Sequence, residues 1–566
     1  MRSETAHEAA PGSAPSAPAP ATPAPTPPAP ASAPATPSVP PAPPPPMPAR
    51  RAAAYMFAAF VLSLAQGLGL NFISANLTQI QGSFGATTNE ATWLMAAYMA
   101  PNASLTLILF KVRAQFGLRH FAEFSILIFV AVSCIHLFVN DFQTALILRF
   151  FAGAAASPMS SLAFLYMLEP FPPAKKMNIG LCIALANMAI AAPVARMISP
   201  SLLDIGGWHA LYLVEVGVAL VALGCVYMLR LTSPPRAKVI SAVDLLSYMF
   251  IAVGFGSLAI VLTVGRLYWW LEVPWLGVLL AVAIGSIIIA AIIELNRKAP
   301  FIDVRWLTSW EILHFTGVLL IFRIALSEQP SGATALFTAL GLAPSQTNIM
   351  WAAIFLASVT AGLFCAMLMK PGREPFIHAA ALVMIGVGAY LDSQSTNLTR
   401  PEQMIVSQML VAAGGALFLP PALASGLRSA LKNGPNYILS FIIVFLTTQS
   451  LGGLFGSALL GSFITIREKF HSSYLVEHIT LTDPLVAQRV NLLAGIYGKV
   501  ITDKTLLNAE GLALLSQQAT KEATILAYND LFTLVAALCA VALFGLLIHT
   551  LINASRRPAP PTTATA

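Results

Sequence analysis

The chain has 566 residues, of which 57% are hydrophobic and only 10% are charged. Soluble domains carry about 25% charged residues, so this composition excludes a soluble enzyme, a disordered scaffold and a receptor with one membrane anchor. The formal net charge of +7 must be read loop by loop in such a chain, and it does not indicate a nucleic-acid partner. The sequence predicts a polytopic, all-α membrane protein.

Residues 1–48 form a tail rich in Ala, Pro, Ser and Thr, which has too few apolar side chains to build a core. The tail lacks the apolar segment of a secretory signal, so we expect it to stay on the cytoplasmic side, disordered. Residues 557–566 are predicted to be a second disordered tail.

Between the tails, apolar runs long enough to cross about 30 Å of hydrocarbon recur along the whole chain. We predict fourteen transmembrane helices: 53–75, 91–110, 121–139, 143–167, 177–199, 209–229, 243–264, 274–293, 310–328, 346–369, 376–391, 402–427, 435–464 and 526–553. An even number of spans places both termini on the same side of the membrane.

Basic residues indicate which side that is. They fall in alternate loops: Arg50, Arg51, Lys111, Arg113, Arg119, Lys175, Lys176, Arg230, Arg236, Lys238, Arg297, Lys298, Arg305, Lys370, Arg373, Arg428, Lys432, Arg556 and Arg557. The opposite short loops hold only Arg266 and Arg400. By the positive-inside rule, both termini are predicted to be cytoplasmic.

One predicted external loop, residues 467–525, is much longer than the others. It holds six basic and six acidic residues, and its segments 485–496 and 506–519 have helical spacing. The loop fits either a solvated cap or a docking surface for a periplasmic partner.

Five ionisable residues lie inside predicted spans, where each costs several kcal/mol unless it is paired or faces water. They are Arg149, Arg196, Glu215, Arg323 and Glu328. Arg149 and Glu215 both lie about 9 Å below the outer ends of their spans at 1.5 Å per residue. Arg196 and Asn71 also fall toward the outer side. These four residues are predicted to converge in the outer cavity of the N-terminal half, where Asn71 is a candidate substrate-cavity residue.

Glu215 is therefore a candidate for the exchangeable proton, with Arg149 or Arg196 as its counter-charge. Desolvation favours the neutral form of a carboxyl group, and a nearby arginine favours the charged form. Movement between two such environments would make a proton switch. The alternative is a permanent ion pair that locks helices together.

Arg323 lies near the middle of its span, which makes it a candidate substrate-cavity residue, especially for an anion. It could instead pair with a carboxylate on another helix. Glu328 lies five residues further on, about 140° around the helix, so the two are not expected to pair. Glu328 is either a second cavity residue or reaches the outer surface.

Other chemistry finds little support in the sequence. A Gly-rich phosphate-binding loop followed by Lys-Ser/Thr is absent, which disfavours ATP as the energy source. Histidines and cysteines show no metal-ligand spacing, and the five cysteines fall in apolar runs as packing residues. We therefore expect no enzymatic activity, no metal and no cofactor.

Several segments together resemble the major facilitator superfamily, and specifically its fourteen-span, EmrB-like drug:H+ antiporter subfamily. They are Leu148–Gly153 with an RxxxG element, Pro172–Lys176, Gly207–Tyr212, Asp244 and Pro300–Val304, followed by the long loop before the last span. The likeness extends from about residue 52 to residue 555.

This resemblance implies two six-helix halves, 52–232 and 308–556, with an inserted helix pair at 243–296 between them. It also implies a central cavity, alternating access by rocking of the halves, and proton-driven export. A periplasmic adaptor and an outer-membrane channel are the partners it implies. Gating or packing roles fall on Gly117, Arg113, Gly153, Pro193, Pro200, Gly452 and Gly456.

The sequence departs from the subfamily pattern at three places. Asn71 stands where the first helix usually carries an aspartate, and Ala114 stands at the acidic position of the loop between spans two and three. The Gly-Pro-rich motif of span five reads Ala192–Pro200 here. These departures affect the expected proton carboxylate and gating glycines, and leave the expected fold intact.

Three functions remain open. The first is an inner-membrane, proton-driven exporter of small amphipathic or toxic compounds. The second is a transporter of organic anions such as aromatic or fatty acids, favoured by three span arginines against two span glutamates. The third is a non-transporting membrane sensor or assembly platform that uses the tail and the outer loop as interaction arms.

Overall fold

The computed structural model describes residues 47–172, 175–233, 235–297, 300, 302–370, 372–434 and 437–555. The predicted tails therefore lie outside the described residues, except for Met47 and Pro48. Pro173, Ala174 and Phe301 of the motifs quoted above also lie outside them.

The described chain is built from helices. In chain order they are α1 (Ala49–Ala75), α2 (Leu77–Phe84), α3 (Thr88–Phe116), α4 (Leu118–His136), α5 (Phe142–Leu168), α6 (Leu181–Ala189), α7 (Ala191–Met228), α8 (Ala242–Val264), α9 (Pro274–Leu295), α10 (Val304–Leu307), α11 (Trp310–Leu326), α12 (Thr334–Ala339), α13 (Asn348–Leu368), α14 (Glu374–Asp392), α15 (Ile405–Asn433), α16 (Tyr437–Glu477), α17 (Pro484–Gly495) and α18 (Lys504–Ser555). Short π-helical segments, Lys176–Gly180 and Gln329–Ala333, precede α6 and α12, and 3₁₀ turns precede α13 and α15.

Thirteen helical runs among the described residues are long and apolar enough to cross a membrane. Their bounds follow most of the predicted spans, but Trp310–Ala339, Ser440–Glu477 and Lys504–Ile552 extend beyond the predicted ends. In addition, predicted spans 177–199 and 209–229 form a single run, Lys176–Met228. A total of fourteen passes therefore depends on counting this run twice.

The Lys176–Met228 run reverses direction within α7. Gly206 and Gly207 leave the helical conformation, and Gly207 has φ 58° and ψ −152°, a conformation that is cheap only for glycine. Contacts along α1 show the reversal. They join Ala59 with Asn187, Gly67 with Ala191, Gly69 with Glu215, and Tyr55 with Arg230. The run is parallel to α1 before the two glycines and antiparallel after them.

Apolar side chains cover the outward face of the bundle as well as its interior. On α9 the exposed ones include Val278, Val282, Ile284, Ile288 and Ile292. Such an apolar surface would be unfavourable in water. It is stable in lipid, where each helix also satisfies its own backbone hydrogen bonds. The exposed apolar belt agrees with a multi-pass membrane protein.

Two large apolar cores organise the interior. The first is formed mainly by residues 319–539 and also takes in Leu181, Cys182 and Leu185 of α6. The second is formed mainly by residues 55–259 and also takes in Leu451 of α16. Packing of α6 and α16 therefore connects the early and late parts of the chain. The division at 52–232, 243–296 and 308–556 remains a prediction.

Two helices are far longer than a membrane crossing needs. The 41 residues of α16 and the 52 residues of α18 span about 62 Å and about 78 Å at 1.5 Å per residue. They extend beyond about 30 Å of hydrocarbon, and α17 packs against α18 at that end. Residues 467–525 are thus largely helical, which confirms the helical spacing read at 485–496 and 506–519.

Candidate functional site

Arg149 is one of the most deeply buried large side chains in the molecule, with 1% of its surface exposed. Asp141 caps the N-terminus of α5, where its carboxylate accepts a 2.8 Å hydrogen bond from the Thr144 N–H. Hydrogen bonds from Thr144 lower the pKa of Asp141. Two turns further on, Arg149 Nη1 donates to the Gly69 carbonyl at 2.8 Å. Its guanidinium carbon lies 4.4 Å from the ring centre of Tyr98. The arginine thus joins α5 to α1 and α3.

Glu215 lies on the other side of the same glycine. It is 3% exposed, and its Oε1 accepts a 3.3 Å hydrogen bond from Ser133 Oγ of α4. A Cβ added at Gly69 would be 3.1 Å from Glu215 Oε1, so glycine permits this approach. Gly206–Gly207 determine this position because they turn the chain back toward α1 two helical turns earlier.

Arg149 and Glu215 are close without forming a direct ion pair. Among the described residues, neither takes part in an N···O contact within 4.0 Å of an opposite charge. Buried Arg149 Nη2 and Glu215 Oε2 each lack a hydrogen-bond partner there. These opposite charges lie on two helices, α5 and α7, and each has one unpartnered atom, so they can change partners when the helices move.

The other two residues predicted to converge here do not join this pair. Asn71 Nδ2 donates to the Gly67 carbonyl of its own helix at 2.7 Å. The Arg196 guanidinium carbon lies 4.8 Å from the ring centre of Trp351, on α13. The structure therefore places Arg149, rather than Arg196, beside Glu215.

Arg323 packs against the small residues of α16. A Cβ added at Gly452 would be 3.5 Å from Arg323 Cβ, and the Arg323 guanidinium lies against Gly453. Its buried Nε has no hydrogen-bond partner, and no carboxylate lies within 4.0 Å of it in the described part of the chain. A Cβ at Gly456 would be 3.1 Å from Ile324 Cα, so this glycine permits close packing of α16 on α11.

Glu328 is 0% exposed, so the interpretation that it reaches the outer surface is wrong. Its Oε1 accepts a 3.0 Å hydrogen bond from Gln408 Nε2, which also donates to Asp392 Oδ2 at 2.7 Å. Sequence reasoning missed Asp392 because the predicted span ended one residue before it. In the sequence, an aspartate at the end of an apolar run looks like the first residue of a loop. Only its burial in the tertiary structure identifies Asp392 as a candidate site residue.

Among the residues assigned to gating or packing, Gly153 packs most tightly. A Cβ at Gly153 would overlap the backbone carbonyl of Tyr98, so α5 and α3 approach closely here. Pro193 is buried in the first turn of α7, and Pro200 lies inside that helix.

Gly117 and Arg113 form the junction between α3 and α4. Gly117 has φ 85°, and a Cβ there would be 2.9 Å from Arg236 Nε. Its N–H donates to the Arg113 carbonyl at 3.0 Å. The Arg113 guanidinium carbon lies 4.5 Å from the ring centre of Phe110.

An ion network joins three helices at the opposite end of the bundle from Arg149. Asp244 Oδ1 lies 2.7 Å from Lys111 Nζ of α3 and 2.7 Å from Arg297 Nη1, just after α9. Arg297 Nη1 also lies 3.0 Å from Glu294 Oε1. Sequence reasoning noted Asp244 as part of a motif and did not predict its partners.

Two buried thiols also meet across distant parts of the chain. Cys182 Sγ of α6 and Cys365 Sγ of α13 are 3.7 Å apart, and both residues are 0% exposed. The sequence predicts packing roles for the cysteines, and nothing in their spacing predicts this contact. Among the described residues, no group of three His, Cys, Asp or Glu side chains could hold a metal ion.

The helices, the apolar belt and the buried charges define an all-helical, multi-pass membrane protein. A family model described as Major Facilitator Superfamily matches residues 55–327. This match covers just under half of the chain, and together with the transport names of similar proteins it indicates a secondary transporter.

Similar proteins have transport or resistance names. The multidrug export protein EmrB of Haemophilus influenzae is 25% identical over 523 residues, which cover 88% of this chain and 95% of the relative. The fatty acid resistance protein FarB of Neisseria gonorrhoeae is 23% identical over 508 residues, covering 85% and 93%.

Solved structures show the same fold at low sequence identity. A POT family transporter in complex with a thioalcohol-conjugated peptide has a TM-score of 0.56 and 12% identity, covering 87% of this chain and 96% of that chain. The human organic anion transporter MFSD10 has a TM-score of 0.51 and 14% identity, covering 87% and 100%.

Proposed function

We propose that this protein is a proton-driven exporter of small amphipathic or toxic compounds in a bacterial inner membrane, working by alternating access. The observation that carries the proposal is the placement of Arg149 and Glu215 on either side of Gly69, buried and without a direct ion pair. The export names of similar proteins support it.

Glu215 is the proton carrier in this mechanism. In one conformation, the carboxyl group is neutral and holds the proton. In the other, α1, α5 and α7 shift so that the carboxylate pairs with Arg149 and the proton leaves to water. Charges inside a membrane are costly without a partner or water, so the exchange of partners couples proton release to helix movement.

The moving parts are the two predicted six-helix halves, 52–232 and 308–556, with the helix pair 243–296 inserted between them. The contacts of α6 with α13 and of α16 with α3 and α8 are where the early and late parts of the chain meet. Substrate would reach a central cavity when these contacts separate. The proton gradient supplies the energy, so no cofactor is needed.

The proposed orientation places both termini in the cytoplasm. The ion network of Lys111, Asp244 and Arg297 then lies at the cytoplasmic end, and α17 lies in the periplasm. The projecting helices carry exposed apolar side chains, including Phe470 of α16 and Leu506 of α18 at 53% and 61% exposure. Such side chains suit a docking surface for a periplasmic adaptor, which would lead to an outer-membrane channel.

The test uses purified protein in liposomes, with ethidium and decanoate as probes of opposite charge. We expect Glu215→Gln to abolish transport driven by a pH gradient and to retain probe exchange without a gradient, because the neutral amide cannot release a proton. The matched control is Glu402→Gln, which alters an exposed carboxylate. Proton-driven transport at the wild-type rate in Glu215→Gln would show that Glu215 is a structural lock.

A second candidate function, organic-anion transport, is favoured by Arg196 and Arg323. Both arginines lie inside the bundle, and neither has a carboxylate within 4.0 Å among the described side chains. The name of FarB, a fatty acid resistance protein, fits this choice. Here we expect Arg323→Gln to weaken decanoate transport at least tenfold and to leave ethidium transport unchanged. Equal loss for both probes would contradict anion recognition by Arg323.

A further inference from the structure

A second buried carboxyl pair lies in the late part of the chain, away from Arg149 and Glu215. Glu328 lies two residues beyond the end of α11, about 27 Å from the start of that helix at 1.5 Å per residue. Asp392 is the last residue of α14, and Gln408 lies in the first turn of α15. The three residues therefore meet near the end of the bundle that carries α17.

Gln408 connects the two carboxyl groups through one amide nitrogen. Its Nε2 donates to Glu328 Oε1 at 3.0 Å and to Asp392 Oδ2 at 2.7 Å, which uses both of its hydrogens. Gln329 Nε2 donates to Gln408 Oε1 at 3.1 Å and so determines the orientation of the amide. Ser407 Oγ donates to Asp392 Oδ1. The side-chain N–H and O–H donors of Gln408, Gln329 and Ser407 are therefore already used in hydrogen bonds.

One carboxyl oxygen remains without a partner. Glu328 Oε2 is fully buried and receives no hydrogen bond from the described residues. A carboxylate oxygen that is buried and unpartnered is unfavourable, whereas a protonated one becomes a hydroxyl donor and removes the charge. The unpartnered atom thus indicates a ligand, and the smallest ligand that fits is a proton.

No basic side chain among the described residues makes an ion pair with either carboxyl group. Within the described chain, neither carboxyl group has a Lys, Arg or His nitrogen within 4.0 Å. The helices packed around it contribute Gln329, Ser407 and Gln408, and Cys539 of α18 packs against Gly386 of α14. Two carboxyl groups joined in this way share their protons as one unit.

We propose that Glu328 and Asp392 form a second proton-binding site, in which Gln408 joins the two carboxyl groups and one proton is held on Glu328 Oε2. When α11, α14 and α15 separate, the proton passes from this oxygen to a water molecule and leaves a carboxylate. The site goes beyond the proposed function, because its protonation requires neither Glu215 nor a transported substrate. In an exporter it would carry a second proton in each cycle.

The test is infrared difference spectroscopy of the purified full-length protein in lipid, titrated from acid to alkaline pH without substrate. A protonated carboxyl group has a C=O stretch that shifts in deuterated water. We expect Glu328→Gln to remove this band, Asp392→Asn to keep it with a shifted titration midpoint, and the double variant to remove nothing more than Glu328→Gln does. Glu215→Gln and the exposed-site control Glu402→Gln should both keep this band.

Ser407→Ala provides a variant that retains both carboxyl groups. It removes one hydrogen bond to Asp392, so the band should move in frequency or titration midpoint rather than disappear. Separate bands for the two residues would overturn a shared site. A spectrum in which neither residue contributes a protonated band at any pH would overturn proton binding altogether. Either result leaves the test of Glu215 unaffected.

Discussion

Cross-linking Cys182 to Cys365 should stop transport, because the cross-link joins α6 to α13 at a contact that must open in the proposed cycle. The two sulfur atoms are 3.7 Å apart, and a disulfide needs about 2.05 Å, so they must approach by about 1.7 Å. Side-chain rotation covers most of such a distance. The bond should therefore form from the conformation described above without refolding.

The assay oxidises the protein in liposomes with copper phenanthroline, which reaches buried thiols through the membrane. Each new S–S bond releases two thiol protons, and the oxidant takes up two electrons. The transport rate should fall in proportion to the cross-linked fraction and recover on reduction with dithiothreitol. Cys182→Ser should be insensitive to the same oxidant. Wild-type transport by fully cross-linked protein would show that α6 and α13 need not separate.

Three other substitutions have defined expected outcomes. Gly153→Ala should lower the free energy of unfolding by about 1–3 kcal/mol, measured by thermal unfolding in detergent, because its Cβ would overlap the Tyr98 carbonyl. Asp244→Asn should cost about 1–3 kcal/mol in the same assay, because a lysine and an arginine lose their shared carboxylate. Gly69→Ala should reduce proton-driven transport more than gradient-free exchange, because its Cβ would crowd Glu215.

Each of these substitutions has a control in the chain. Gly285→Ala adds a Cβ with no atom within 4 Å and should leave unfolding unchanged. Glu123→Gln breaks an i,i+4 pair with the half-exposed Arg119 and should cost less than about 1 kcal/mol. Equal effects of target and control would contradict the packing and ion-network arguments. A Gly69→Ala protein that loses both transport modes equally would point to misfolding instead of altered coupling.

The spans were predictable because hydropathy acts locally. An apolar run such as 274–293 is long enough to span the membrane whatever the rest of the sequence is. The structure has a helix there, Pro274–Leu295. The candidate site was predictable only in part. The depth of Arg149 and Glu215 follows from their distance along each helix, and the structure brings both to Gly69. The same reasoning placed Arg196 with them, but its helix turns that side chain toward Trp351.

Asp392 and Gln408 show the limit of such reasoning. Their contact with Glu328 depends on how three helices rotate and pack, and no spacing within one helix contains that information. The sequence by itself determined a multi-pass membrane protein and the depth of its charges, because burial in lipid is decided residue by residue along each helix. Only the tertiary structure decided which charges meet, because partners on different helices are chosen by packing between surfaces far apart in the chain.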